Sequence, residues 1–313
     1  ANYSFDQRYL FDFNLSSDGA SKFGINNPFY TSISVGGAWN IHNEKFIKNL
    51  FSQSKAFSYM KIRYTYGEPG SDNFDAKLSN SVYKYYNSYS NPWGLATYVT
   101  QWGNTGLRWK RVKTHNLGLD LGFLDNKLMV NLNYHTSDSD PELMRVDMPS
   151  STGTTSVPMN IGATYNKTFT FTVNYEAFRN RDMTIRLNAN AIHTTTKYGK
   201  IGDLLEKLNE EGRASQTMMR YYDGASTSAI WAVRSAGIDP ATGREIFIKK
   251  DGTYTYDFSY ADEVIVGNSR PDAEGTFGTN FGYHGISFGA IFRYRLGADA
   301  FNTSVFNKVE NLS

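Results

Sequence analysis

The stretch Thr114 to Ser137, THNLGLDLGFLDNKLMVNLNYHTS, constrains the fold more than any other. His115, Leu117, Leu119, Leu121 and Phe123 fall on one face of an extended chain, and Asn116, Gly118, Asp120 and Gly122 fall on the other. A polar turn follows at Asp125-Asn126. Leu128, Val130, Leu132 and Tyr134 then alternate with Lys127, Met129, Asn131 and Asn133. Period-two alternation on both sides of a tight turn predicts an antiparallel hairpin with one apolar and one polar face. Each arm has about nine to eleven residues, the length that crosses a bilayer as a tilted strand. One hairpin of this kind also suits a soluble sandwich, so its recurrence decides.

The pattern recurs. Tyr9, Phe11, Phe13 and Leu15 alternate with Leu10, Asp12, Asn14 and Ser16, and Thr31, Ile33, Val35 and Trp39 alternate with small and polar residues up to Asn40. Met60 to Tyr66, Phe169 to Glu176, Ile185 to Asn190, Phe277 to Tyr283 and Ile286 to Tyr294 repeat it. The reading gives about nine strands, with Asn2 to Ser4 as the remnant of one more. The connections alternate in length. Phe5 to Gln7, Asp125-Asn126, Arg179 to Arg181 and His284-Gly285 are tight, and Asn40 to Ala56 is of middling length with an amphipathic run at Phe46, Ile47 and Leu50. Ser17 to Pro28, Gly67 to Arg111, Ser137 to Asn166 and Thr194 to Ala273 are long, the last about 80 residues. Short turns at one end and long loops at the other are the asymmetry of outer-membrane barrels, whose long loops face the exterior. Within the longest loop, Asp203 to Gly212 predicts a helix with an acidic start and a glycine stop. Glu245 to Tyr256 predicts a hairpin with a type I′ turn at Asp251-Gly252.

Composition agrees with an all-β, transmembrane antiparallel β-barrel segment. Aromatic residues make up 15%, with Tyr 22, Phe 21 and Gly 27. Mean hydropathy is -0.49, which a barrel tolerates because only every second strand residue needs to be apolar. The net charge of +2 gives no argument for a nucleic-acid partner, and with Cys 0 there is no thiolate, disulfide or thiol redox chemistry. The chain starts ANYSFDQRY, without an initiator Met or a signal peptide.

With strands and loops placed, several stretches resemble the C-terminal part of the barrel of SusC-like TonB-dependent transporters from the Bacteroidetes outer membrane. They are RYLFDFNLSSDGASKFG, SVGGAWNIHNEKF, MKIRYTYGEPG, NTGLRWKRVKTHNLGLDLGFLDNKL, PSSTGTTSVPMNIGATYNKTF, SAIWAVRSAGIDPATGREIF, GNSRPDAEGTFGTNFGYHGISF and FRYRLGADAFN. The resemblance covers nearly the whole chain and rests on the order and spacing of these words. It implies a barrel of about 22 strands closed around an N-terminal plug. It also implies a SusD-like surface lipoprotein as lid, and import driven by the TonB complex through an N-terminal region outside this sequence. The cargo it implies is mostly glycan, sometimes peptide. The family's usual Asn-Lys-Gly-Phe-Glu is here Asn166-Lys167-Thr168-Phe169-Thr170, with the alternation intact. Residues 1–313 are thus expected to be a partial barrel domain, without the plug and the remaining strands, that does not close or function alone. The expected setting is the outer membrane, in contact with its lipid.

No catalytic constellation stands out, and the chain is read as a non-enzyme without cofactors. His42, His115, His135, His193 and His284 sit at strand ends or turns, and none has ligand spacing to a second His. Asp138, Asp140 and Glu142 could hold calcium from a loop, but their spacing departs from an EF-hand and a solvated loop is the simpler reading. Ser17-Asp18-Gly19 reads as a turn. The better lead is one aromatic-rich outer loop holding Tyr83, Tyr85, Tyr86, Tyr89, Trp93, Tyr98, Trp102 and Trp109. Aromatic faces stack on sugars and pack on peptides, and Tyr and Trp add a polar handle. Tyr85, Tyr86, Tyr89, Trp93, Trp102 and Trp109 are therefore the candidate substrate-binding residues, against the plainer reading that they form the loop's own core and an aromatic girdle. Trp231, flanked by Ala and Val, reads as core. Three function classes stand in order: an importer of large nutrients, most readily oligosaccharides, with peptides as the alternative; a passive porin or surface-interaction barrel; and a barrel-embedded hydrolase.

Overall fold

The computed structural model describes residues 1–23, 26–51, 57–71, 79–92, 94–148, 151, 153, 156–203, 205–302 and 304. Ten strands form one antiparallel wall: β1 (Asn2–Phe5), β2 (Tyr9–Gly19), β3 (Phe29–Asn40), β4 (Phe57–Gly67), β5 (Lys110–Phe123), β6 (Leu128–Ser139), β7 (Ala163–Arg179), β8 (Met183–Gly199), β9 (Ala273–Tyr283) and β10 (Ile286–Leu296). Each pairs with the next in chain order, and the short strand Gly70–Ser71 adds to β5. The nine strands legible in the alternation are all present, and the Asn2 to Ser4 remnant is β1. Ser17-Asp18-Gly19 is not a turn: Asp18 pairs with Tyr30 and Gly19 with Phe29, so β2 runs on through it. Thr31 and Tyr30 continue the β-branched and aromatic character of the partner strand, which favours extending the ladder over turning.

The register turns local alternation into continuous rows. One row runs Tyr9, Trp39, Ile62, Leu119, Leu132, Phe171 and Ala191 across seven strands. One residue along each strand, and on the opposite face, lie Asn40, Lys61, Asp120, Asn131, Thr172 and Asn190. The apolar face is not covered by protein. Leu117, Tyr134, Phe169, Phe277, Phe288 and Phe292 are all exposed, and the buried apolar residues lie in the connections and at the strand ends that feed them. In a soluble sandwich this face would be packed against a second sheet. A wall of ten strands with a bare apolar face and a polar reverse suits lipid on one side and water on the other. Among the described residues no helix is long and apolar enough to cross a membrane.

The polar face is cross-linked. The Arg63 guanidinium donates to Asp120 from Nε (3.1 Å) and Nη2 (3.3 Å), and Nη2 also donates to Asn133 Oδ1 (2.6 Å). Asn131 Nδ2 donates to the same carboxylate at 2.8 Å. Gly118 makes this geometry available, because a Cβ there would lie 2.6 Å from Arg63 Nε. Three strands are thereby joined through one bidentate pair of the kind that gives directional strength.

The two ends differ. At one end the strands are joined by Asp6 to Arg8, Leu124 to Lys127, Asn180 to Asp182 and His284-Gly285. His284 (φ 45°) and Gly285 (φ 84°) both occupy the left-handed region, as the two-residue I′ hairpin requires. The connection between β3 and β4 lies at this end too and carries helix α1 (Lys45–Phe51). Beside it, the buried Glu44 carboxylate accepts from Trp39 Nε1 (3.0 Å), Tyr9 Oη (2.8 Å) and Arg8 Nη1 (3.1 Å). The Trp39 and Tyr9 donors hold its pKa below the usual carboxylate range. Tyr9 and Trp39 thus show apolar rings to the bare face and polar tips to the rim, as girdle residues do. The three longest connections, between β4 and β5, β6 and β7, and β8 and β9, leave from the other end.

Two outcomes follow for the intact protein in its membrane. Leu119→Arg, on the bare face, should cost about 2–4 kcal/mol near the bilayer midplane, and Thr172→Arg, on the polar face, much less; equal losses of resistance to thermal unfolding would refute the assignment of faces. Ala241→Cys, at the long-loop end, should react with an impermeant thiol reagent on whole cells while Asn126→Cys stays silent, and the reverse pattern would invert the orientation.

Candidate functional site

The long connections fold into a cap on the rim. Phe23, Leu107 and Trp109 form one buried cluster, with Ala20, Tyr30 and Leu143 packed round it. Tyr198, Ile201 and Leu205 form another, ringed by Met144, Ile161, Leu208 and Tyr221. The hairpin Leu143–Asp147 with Ser156–Asn160 joins the two, since adjacent Leu143 and Met144 point to opposite sides of a strand. Asparagines pin the loops further. Asn27 Nδ2 donates to Leu107 O (3.0 Å), Asn104 Nδ2 to Pro158 O (2.9 Å), and Asn160 exchanges two hydrogen bonds with the Arg108 backbone.

The longest connection has its own structure: helix α2 (Glu206–Ala214), a strand pair Ala229–Ala232 with Val264–Asn268, and a three-stranded sheet of Arg234–Ile238, Glu245–Ile248 and Tyr254–Thr255. Its centre is ionic. Buried Glu263 accepts from Arg220 Nε at 2.9 Å and from Arg213 Nε at 3.1 Å. Arg220 spends Nη1 on the Thr217 and Met219 carbonyls. Arg213 also reaches Glu206 and the Tyr222 hydroxyl. The hydrogen bond from Asn209, then Arg213, holds Glu206 below the usual carboxylate range.

Two expectations in this loop are corrected. Gly212 does not stop α2, which continues to Ala214; it is small because a Cβ there would meet Thr217 Oγ1 at 2.9 Å and Arg220 Nη1 at 3.2 Å. The Glu245 to Tyr256 hairpin exists, but its turn is not type I′. Gly252 alone has positive φ (86°), and the Asp251 carboxylate accepts from Thr253 N and Oγ1 to close a wider loop.

The aromatic loop divides. Val82–Asn91 and Gly94–Gln101 pair as a hairpin. Tyr83 and Tyr85 share one of its faces and are exposed, and exposed Tyr98 pairs with Lys84 on the other. Trp102 is 38% exposed at its end. Tyr86 and Tyr89 lie in the first of these strands, and Trp93 lies outside the described residues. Trp109 is withdrawn from the candidates. It is 8% exposed, stacked on Phe23 with centroids 4.4 Å apart, and its Nε1 donates to Asn27 O at 3.0 Å. Both its ring and its polar handle serve the first cluster. Trp231 is half-buried against Tyr222, with ring centroids 5.2 Å apart.

Of the three carboxylates considered for calcium, two are otherwise engaged. Asp140 pairs with Lys200, and Glu142 with Lys110 (2.7 Å) and the Thr164 hydroxyl (2.8 Å). Asp138 belongs to β6, not to a loop. Among the described residues no group of three or more His, Asp or Glu side chains is gathered as for a metal ion. His42 bonds the Met60 carbonyl, His115 the Tyr64 hydroxyl and His193 the Asp272 carbonyl.

Glu263→Leu should leave buried Arg220 without its carboxylate, at a cost of about 3–5 kcal/mol. In the intact protein, trypsin should then cut within residues 213–263 faster than in wild type while the wall keeps its heat-modifiable migration. Unchanged cleavage would show that the ion cluster does not hold this loop.

No protein-family model matches the chain. It is 27% identical over 328 aligned residues to TonB-dependent receptor P3 of Formosa agariphila, covering 96% of this chain and 31% of that protein. It is 30% identical over 195 residues to TonB-dependent receptor SusC of Bacteroides thetaiotaomicron, covering 60% of this chain and 19% of that protein. Among solved structures, that of the RagAB peptide transporter shares the fold, with a TM-score of 0.79 and 23% identity over 95% of this chain and 32% of that one. The chain thus spans about a third or less of the length of these relatives. These relatives bear receptor and transporter names, in keeping with the expectation of a non-enzyme. The chain is therefore a relative of the SusC-like TonB-dependent receptors of the outer membrane, and its strands correspond to the C-terminal part of their barrel.

Proposed function

We propose that this chain forms part of the barrel of an active importer of large nutrients, with the plug and the remaining strands supplied by the rest of the protein. A SusD-like surface lipoprotein covers the long-loop end, and the TonB complex acts through the N-terminal region. The single observation that carries the reading is the pairing of a lipid-suited wall with a folded cap at one end only. A passive pore has no need for so much folded structure on its rim, and the relatives bear the names of TonB-dependent receptors.

The cargo read from the sequence is oligosaccharide, bound by exposed rings of the Val82–Gln101 hairpin and Trp102. A peptide cargo is the second reading, favoured by the fold neighbour described as a peptide transporter. Tyr85, Tyr86, Tyr89, Trp93 and Trp102 remain the candidate contacts. Each stacked ring is worth about 0.5–1.5 kcal/mol, a loss of about two- to tenfold in affinity on truncation. Tyr85→Ala and Trp102→Ala in the full-length receptor, titrated with oligosaccharide and peptide panels, should weaken binding of one class by that factor. Unchanged affinity for both classes in correctly folded variants would remove this loop from the binding site.

A further inference from the structure

The polar face of the wall has a panel without charge. On β6, β7 and β8 the register aligns Met129, Asn174 and Asn188 toward the short-turn end and Ser139, Thr164 and Tyr198 at the long-loop end. Between these limits every second residue of each strand turns to the polar face. Those eighteen positions hold six Asn, six Thr and two Ser, and no Lys, Arg, Asp or Glu. The charges stand at the borders and are paired there: Arg63 with Asp120 on β4 and β5, Arg293 and Arg295 with Glu274 on β9 and β10, and Arg186 with Glu176 below. Some groups of the panel bond one another, as Thr196 does in donating to Asn166 at 2.9 Å. Thr170, Thr172 and Asn174 make no side-chain hydrogen bond among the described residues, and Asn188 Oδ1 is buried without a donor.

The panel has the dimensions of a path for one chain. From Asn174 to Thr164 is about ten residue steps of about 3.4 Å on a strand tilted by about 40°, or about 26 Å along the membrane normal, the height of a barrel's apolar band. Three strands about 4.8 Å apart make it about 10 Å wide. Its upper end meets the cap, where Tyr198 joins the second buried cluster. Asn amides and Thr hydroxyls each donate and accept, as the hydroxyls of a sugar do. A carboxylate, sulfate or ammonium group passing here would find no counter-charge within the panel and would exchange its water for weaker neutral partners. Hydrogen bonds between neutral groups each contribute little net, and passage needs sites that hold weakly and in number. A rigid domain seated against the wall would instead be anchored by aromatic, Met and Arg side chains, and Thr is under-represented among such anchors.

We propose that this panel on β6, β7 and β8 is a translocation track for uncharged, polyhydroxylated cargo, a neutral oligosaccharide, with Thr170, Thr172 and Asn174 among its contacts. The track deepens the reading of the chain as part of an importer and rests on it, and TonB-dependent uptake by the wild-type receptor tests that reading separately.

The probes are radiolabelled neutral hexasaccharides of glucose, xylose and mannose, oligogalacturonate and sulfated galactan fragments of the same length, and mixed hexapeptides. Each is given to whole cells carrying the full-length receptor, with and without TonB. Wild type should import at least one neutral glycan and none of the charged ones. Thr170→Val combined with Thr172→Val should slow import of that glycan about fivefold while its affinity at the cell surface stays unchanged, and Thr170→Ser with Thr172→Ser should import at the wild-type rate. Thr65→Val, on the polar face of β4 outside the panel, should also import as wild type does. Heat-modifiable migration of each variant reports that the barrel is intact. Equal import by wild type and the folded double valine variant would overturn the proposal. A fall in import accompanied by leakage of vancomycin into the cells would make the panel the seat of the plug and overturn it too. Uptake of charged glycans or peptides without any neutral glycan would overturn the track and leave the importer reading standing, whereas uptake of no probe would overturn both.

Discussion

In hydrocarbon every backbone N–H and C=O must find its partner within the protein, and a sheet whose strands all pair is one of the two ways to satisfy this. The wall meets the demand by the simplest path, each strand hydrogen-bonded to its neighbours in chain order. Register then decides everything else. A slip of one residue between β5 and β6 would carry Asp120 to lipid and Leu119 to water, because side chains alternate with period two. The Arg63, Asp120, Asn131 and Asn133 group works against such a slip. Its hydrogen bonds span β4, β5 and β6 and are satisfied in one register only. Gly118, which leaves room for the guanidinium to lie across β5, belongs to the same device.

Fixed register also sets where the loops emerge, and hence what they can touch. Neighbouring strands stand about 4.8 Å apart, so the connections of β2 through β8 leave the wall side by side. They bury against one another in two clusters where strand ends become small or tightly packed. Ala163 is buried, and a Cβ on Gly199 would lie 2.4 Å from the Tyr165 ring. The cap is therefore built on the wall's geometry, yet its stability comes from its own apolar clusters and from the Glu263 ion cluster. In that cluster the carboxylate is nearly enclosed and both arginines find further acceptors, which is the condition under which a buried ion pair is tolerated.

These two sources of order explain what was legible in the sequence. Strand positions, faces and the unequal ends could be read because alternation is local and is repeated strand after strand. The cap could be read only in part. Trp102 and Trp109 look alike within one aromatic loop, yet Trp109 is buried by Phe23 and bonded to Asn27, residues far away along the chain that carry no periodic signal. Gly212 looked like a helix stop because its true reason, the approach of Thr217 and Arg220, is tertiary. Asp251-Gly252 matched the I′ pair, but the Asp251 side chain drew in Thr253 and changed the turn. In each case a contact within the cap overrode a local preference.

The same division bears on which residues of the chain are free to vary. The polar wall is made of Asn, Thr and short hydrogen-bonded networks tied to register, so changing it risks the fold. The projecting elements of the cap are locked by themselves. In the Arg234–Thr255 sheet, the Tyr256 hydroxyl donates to Asp239 at 2.8 Å, Arg244 lies 4.8 Å over the Tyr256 ring, and Thr242 closes the turn on the same carboxylate. Donors from Thr242, Ala241 and Tyr256 hold Asp239 below the usual carboxylate range, so the lock stays charged at neutral pH. Such an element can expose Ile238 and Tyr254 without needing them for its own stability. Surface residues that are not required to hold their element can change without loss of the fold, and Ile238 and Tyr254, which are of this kind, lie on the cap and not on the wall.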